Sequence, residues 1–249
     1  MQMNFPYLFL VFMLYSVAGY VCEIVCSSIK QKKLVNRGFL CGPYCPIYGV
    51  GSLFILFLLL RFKEDPVIVY VLGAVITTAI EYVTSFILEK IFHNKWWDYS
   101  DEKFNIHGRV FLFNTLLFGF GSLVIIYTGN DIVTKILDCF SPLALNITAY
   151  SLLFIFVIDF IYSAIIAYNL RNRIIICEEL KSEKLAKLPG MLEKKLRERV
   201  EKFKTYPKRL LDAFPYLTNA NAKEFDLMKK IRDKSKQLKK KYKKKKIKK

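Results

Sequence analysis

Five apolar segments, residues 5–29, 46–60, 67–92, 110–128 and 145–170, dominate the first two thirds of the chain and leave it few ways to fold. About 20 apolar residues in helical form cross the roughly 30 Å hydrocarbon core of a bilayer. Within that core only helices and closed barrels satisfy every backbone amide. The chain therefore reads as all-α, a polytopic membrane bundle of about five spans. The first segment has no basic n-region and no small-x-small cleavage site, and it is long for a leader's apolar core. It reads as a retained first span.

The second segment is short for a complete crossing, and the stretch before it is unlike its neighbours. Residues 36–51, NRGFLCGPYCPIYGVG, hold four glycines (Gly38, Gly42, Gly49, Gly51) and two prolines (Pro43, Pro46). Such a mixture opposes a regular helix at nearly every step. It is expected to be shaped backbone at the mouth of a membrane helix, partly re-entrant, because irregular backbone at membrane depth survives only where protein or water covers it.

Mean hydropathy is positive at +0.26 even though the formal net charge is +18, so the two properties must occupy different regions. Residues 1–170 read as a transmembrane domain and 171–249 as a cytoplasmic, helical, lysine-rich tail. In the tail Leu185, Leu188, Leu192, Leu196, Val200 and Phe203 recur at helical spacing, with Pro189-Gly190 as a kink, and residues 229–249 are almost all lysine. Such a run is expected to attract anionic lipid headgroups, and nucleic acid is not an expected partner. Lys30, Lys32, Lys33 and Arg37 in the first connection and Lys95, Lys103 and Arg109 in the third outnumber the basic residues of the second and fourth. Basic connections favour the cytoplasm. The amino terminus is thus expected outside and the carboxyl terminus inside, with the 131–143 piece amphipathic at the outer interface. The six cysteines read as packing thiols, since no His or acid near Cys41 and Cys45 completes a metal set. No metal or cofactor is expected.

Ionisable residues inside spans are costly and are functional candidates by default. Glu23, Glu81, Glu89 and Asp159 qualify, and Thr77, Glu81, Ser85 and Glu89 follow one face of the third span. Two reasons for that polar face stay open, namely interhelical hydrogen bonds and a water-filled or ligand-binding cavity. The third connection, with Trp96, Trp97, Asp98, Tyr99, Asn105, His107 and Arg109, is too rich in aromatic and polar groups for a spacer. An interfacial aromatic belt and a polar assembly against the 36–51 stretch are both open. The candidate substrate or gating set is Glu23, Asn36, Arg37, Gly42, Pro43, Pro46, Tyr48, Gly49, Glu81, Glu89, Trp97, Asp98, Tyr99, Asn105, His107, Arg109 and Asp159. Within it, Glu23, Glu81 and Glu89 are expected to face Arg37 and Arg109.

Taken together, Glu23, NRGFLCGPYCPIYGVG, the Glu81-Tyr82 to Glu89 segment, WWDYS and FNIHGR resemble the bacterial membrane proteins catalogued as type IV ABC-transporter permeases, and RLLDAFPYL resembles the end of longer members. The resemblance covers nearly the whole chain. It implies a multi-spanning permease-like subunit in the bacterial inner membrane and carries no catalytic residue with it. The sequence holds no Gly-x-x-x-x-Gly-Lys-Ser/Thr loop, so a transporter built on it needs a separate ATPase. Five spans are few for a complete pathway, which points to a homo-oligomer. Two other classes remain open, a membrane-embedded enzyme acting on a lipid or isoprenoid-linked substrate and a non-catalytic scaffold or sensor.

Overall fold

The computed structural model describes residues 4–32, 38–92 and 95–181. Asn36, Arg37, the 185–203 helical pattern, RLLDAFPYL and the 229–249 lysine run lie outside the described residues. Among the described residues six α-helices carry the fold: α1 (Phe5–Gln31), α2 (Pro46–Leu59), α3 (Pro66–Phe92), α4 (Leu112–Val124), α5 (Asn130–Asp138) and α6 (Pro142–Lys181). A short 3₁₀ turn, Leu60–Phe62, ends α2, and a π-helical turn, Ile125–Gly129, joins α4 to α5 without a break. Four helical stretches are long and apolar enough to cross a membrane, Phe5–Ile29, Pro66–Phe92, Leu112–Asp138 and Pro142–Tyr168. The stretch Pro46–Phe62 is apolar but shorter.

Three boundaries differ from those the sequence suggests. Val110–Phe111 form a strand rather than the start of the fourth helix. The fourth helix runs on to Asp138 because the π turn absorbs the polar Thr128-Gly129-Asn130 step, so residues 131–138 are its continuation and not a separate piece. The backbone of α6 passes residue 170 as helix and continues to Lys181.

Local signals set the helix starts. Asn4 caps α1, its side-chain oxygen accepting from the Tyr7 amide at 3.2 Å, and Pro6 occupies the first turn. Pro46 opens α2, and Asp65 caps α3 by accepting from the amides of Val67 and Ile68. The helices pack as antiparallel neighbours. Along α3 and α4, Thr78 meets Thr115 at 3.0 Å and the Tyr70 hydroxyl donates to the Leu116 carbonyl at 3.2 Å. The core is aromatic and aliphatic, with Tyr7, Leu10, Val11 and Met13 of α1 against Ile55, Leu56 and Leu59 of α2 and Ile126, Val133 and Leu137 further on. Phe156 of α6 stands edge-on to Phe12 at 5.6 Å. Val25, Val75, Val83, Ile87, Phe120, Phe154, Ile158 and Ile161 point outward. An outward apolar belt of this kind is what lipid requires and water does not tolerate.

The α1–α2 crossing depends on small residues. Ser16 is fully buried with its hydroxyl turned back to the Phe12 carbonyl at 2.7 Å, and Gly49 lies directly against this pair. A Cβ on Gly49 would stand 2.5 Å from that same carbonyl oxygen, which is backbone and cannot turn aside. Close approach through small residues is how membrane helices gain packing energy without a hydrophobic drive. Gly49→Ala should therefore lower stability by about 1–3 kcal/mol, the usual cost of overpacking. Gly121→Ala, where a Cβ meets nothing within 4 Å, should be neutral or stabilising. Unfolding of the two variants in one detergent compares them directly, and equal stabilities would rule out the crossing as described.

Candidate functional site

The irregular stretch before α2 descends into the bundle. The Cys45 amide donates to the Ser16 carbonyl at 2.8 Å. Ser16 is 15 residues from the end of α1 at Gln31, about 22 Å along the helix at 1.5 Å per residue. Backbone at that depth must find its own hydrogen-bond partners. Residues 41–44 find them on one side chain of α6: Asp159 accepts from the amides of Cys41 at 3.0 Å and Gly42 at 2.8 Å, and from the Tyr44 hydroxyl at 2.6 Å. Ser163, one turn further along α6, donates to the same carboxylate at 3.0 Å. Charge-assisted bonds of this kind are shorter and stronger than neutral ones. Below the loop, Tyr48 of α2 donates to Glu23 of α1 at 2.8 Å. Pro43 is exposed, and Pro46 serves as the first residue of α2.

The third connection folds as a small ribbon. Strands β1 (Asn105–Ile106) and β2 (Val110–Phe111) pair antiparallel. His107 and Gly108 both take positive φ, +55° and +68°, and the Arg109 amide returns to the Ile106 carbonyl at 3.0 Å. Two successive positive φ values define the primed hairpin turn, which favours glycine at the second position. Asn105 clamps the turn, its amide group donating to the Glu102 carbonyl at 2.8 Å while its oxygen accepts from the Gly108 amide at 2.9 Å. Asp98 holds the base of the ribbon, accepting from the Ser100 amide at 3.0 Å and pairing with Lys95 at 3.2 Å. Partial burial works against the Asp98 charge, but the bonds from Ser100 and Lys95 outweigh it and hold the carboxyl below its ordinary range. Its stabilisation is present above the unfolded value of about 3.9 and is lost as pH falls through the lower folded value.

The ribbon is tied to α3 and α4 by groups the sequence singles out. Arg109 pairs with Glu89 at 2.6 Å, donates to Ser85 at 3.3 Å and lies over the rings of Tyr82 and Phe86. The Trp97 indole N–H donates to the Arg109 carbonyl at 2.9 Å, and His107 Nδ1 meets the Tyr82 hydroxyl at 3.1 Å. Asn114 of α4 donates both to Glu81 at 3.5 Å and to the Tyr99 hydroxyl at 3.2 Å. Glu81 thus reaches the base of the ribbon through Asn114 and Tyr99.

Of the two arginines expected to face Glu23, Glu81 and Glu89, Arg109 pairs with Glu89, and Arg37 lies outside the described residues. Of the described pairs, Arg109 serves Glu89 alone. Glu81 is eight residues earlier, about 12 Å along α3, which is too far for one guanidinium to hold both. Glu23 accepts from Tyr48, and Asp159 serves the loop rather than the ribbon. The described residues of the two irregular stretches meet through aromatic rings: Phe39 stands edge-on to Trp96 at 4.9 Å and near Phe92 at 5.8 Å. Asn114, Tyr44 and Phe39 are the partners that sequence reasoning passed over. Asn114 carried a signal, as a lone amide inside the apolar run VFLFNTLLF.

Asp159→Asn keeps the volume and removes the charge that gathers two amides and a hydroxyl. It should cost about 1–3 kcal/mol, the value of a hydrogen bond to a charged group. It should also speed alkylation of the Cys41 thiol, while Asp138→Asn at the opposite end should change neither. Unchanged Cys41 reactivity in the Asp159 variant would refute the anchoring role.

Residues 10–164, more than half of the chain, match the family described as Putative ABC-transporter type IV. No curated protein and no solved structure matches the chain. The matched residues take in the descending stretch, all four interior acids and the ribbon. A match of this extent shows membership, and the chain belongs to the Putative ABC-transporter type IV family.

Proposed function

We propose that this protein is the membrane-embedded, permease-like subunit of an ABC-type transporter, and that a separate ATPase docks where the 38–45 stretch and the 95–111 connection meet. The observation that carries the reading is the Phe39–Trp96 contact. It joins two irregular connections whose other anchors are carboxylates on α3 and α6. A load applied to the ribbon reaches α3 through Arg109 and Glu89 and reaches α6 through Phe39 and Asp159. Family membership supports the transporter setting, and the missing phosphate-binding loop in the sequence supports a second subunit for ATP hydrolysis. The basic residues of the first and third connections support a cytoplasmic position for this face, with the amino terminus outside and the lysine-rich tail inside near anionic lipid. Pairing of two copies would complete a pathway for which one bundle offers few helices.

The docking reading is tested by photo-crosslinking in native membranes. A photoreactive residue at Phe104, at the exposed tip of the connection, should capture a protein that carries its own phosphate-binding loop. The same group at Lys63, between α2 and α3, should capture none. Capture of an ATPase at Lys63, or at neither position in cells that express one beside this chain, would exclude the proposed face.

A further inference from the structure

Four carboxylates sit within the spans of α1, α3 and α6, and three of them have strong partners. Glu89 has Arg109, Asp159 has two amides and two hydroxyls, and Glu23 accepts from Tyr48. Glu81 differs. It is 7% exposed, the most deeply buried acid among the described residues, and its partner groups are the neutral Asn114 amide and Tyr99 hydroxyl. Its Oε2 is buried and accepts no hydrogen bond of good geometry. Among the described residues no lysine, arginine or histidine lies within ion-pair distance of it.

An isolated carboxylate in such surroundings costs several kcal/mol unless something supplies the opposite charge. Arg109 does not supply it, being held at Glu89. Of the titratable groups facing Glu81, Glu23 of α1 repels its charge, and the Tyr99 hydroxyl eases it by hydrogen bonding but brings no positive charge. From α4 comes only Asn114. The Tyr48 hydroxyl of α2 is turned to Glu23. What faces Glu81 is neutral: the Asn114 side-chain N–H group, aimed at Oε1, and the Tyr99 hydroxyl. That leaves the buried Oε2 as the place for a proton.

We propose that Glu81 is the binding site of one proton, held on the buried Oε2, which supplies the charge that the described residues withhold. Asn114 and Tyr99 are its positioning residues. Asn114 links the site to Tyr99 at the base of the ribbon, so loading or emptying it is felt at the connection between α3 and α4. This assignment does not depend on an ATPase partner, and its outcome leaves the docking reading untouched.

The test uses the full-length protein in lipid nanodiscs. Dicyclohexylcarbodiimide adds to protonated carboxyls in apolar surroundings, and peptide mass spectrometry locates the adduct. Labelling of Glu81 that is lost as pH rises, with Glu89 and Asp159 unlabelled, identifies a proton site. Labelling that sodium chloride suppresses at fixed pH and potassium chloride does not overturns the assignment to a proton. The infrared band of a protonated acid, compared with Glu81→Gln, avoids the question of reagent access. A band present in the wild type and lost in the variant supports the site. If the variant does not fold, the adduct map of the wild type decides. An unlabelled Glu81, together with no band that Glu81→Gln removes, overturns the assignment.

Discussion

Backbone amides that enter hydrocarbon cannot be left unbonded, and in this protein the amides of residues 41 and 42 depend on a side chain 117 or 118 positions away. Asp159 is worth its cost in α6 because it satisfies several donors at once, where an ordinary helix would satisfy each amide within its own backbone. The rest of the arrangement depends on that bond. With the loop held, Cys45 reaches the middle of α1, Pro46 starts α2 at depth, and Gly49 and Tyr48 meet Ser16 and Glu23. A short helix of 14 residues then suffices to complete the bundle on that side.

The third connection solves the same problem by other means. Lying between α3 and α4, it makes most of its own hydrogen bonds through the ribbon and the Asn105 clamp, and it spends one arginine on Glu89. The two connections touch through Phe39, Phe92 and Trp96, an apolar joint buried with Ile166 and Ala167 of α6. An aromatic joint can slide or repack at modest cost, whereas the carboxylate anchors on either side would break only at the expense of a buried charge. Motion between the halves is thus expected to concentrate at the joint.

Much of this was legible in the sequence, for physical reasons that differ by element. Lipid imposes length and apolarity, so the long helices announce themselves. The Gly-Pro content of 36–51 suggested non-helical backbone throughout; that holds for 38–45, but Pro46 to Gly51 form the start of α2, where proline suits a first turn and Gly49 allows close packing. The four interior acids stood out against apolar runs. Their partners did not, because pairs such as Gly42 with Asp159 or Glu81 with Asn114 join residues far apart in sequence and leave no periodic trace. The ribbon escaped notice because two-residue strands have no alternation to read, although Ile106-His107-Gly108-Arg109 held a turn signal in its glycine. The π turn at 125–129 hid the continuity of the fourth crossing, since Gly129, Asn130 and Asp131 resemble a helix end.

The depth of the first connection decides the account most directly. A nitroxide on Cys45, in a variant lacking the other thiols and reconstituted in lipid, reports its position through collisions with oxygen, which is concentrated in hydrocarbon, and with a polar nickel chelate, which is not. The account predicts a depth for Cys45 close to that of a label placed beside Ser16 on the outward face of α1, at Val17. A reading at headgroup level, matching a label at Ile29 near the end of the same helix, would contradict it.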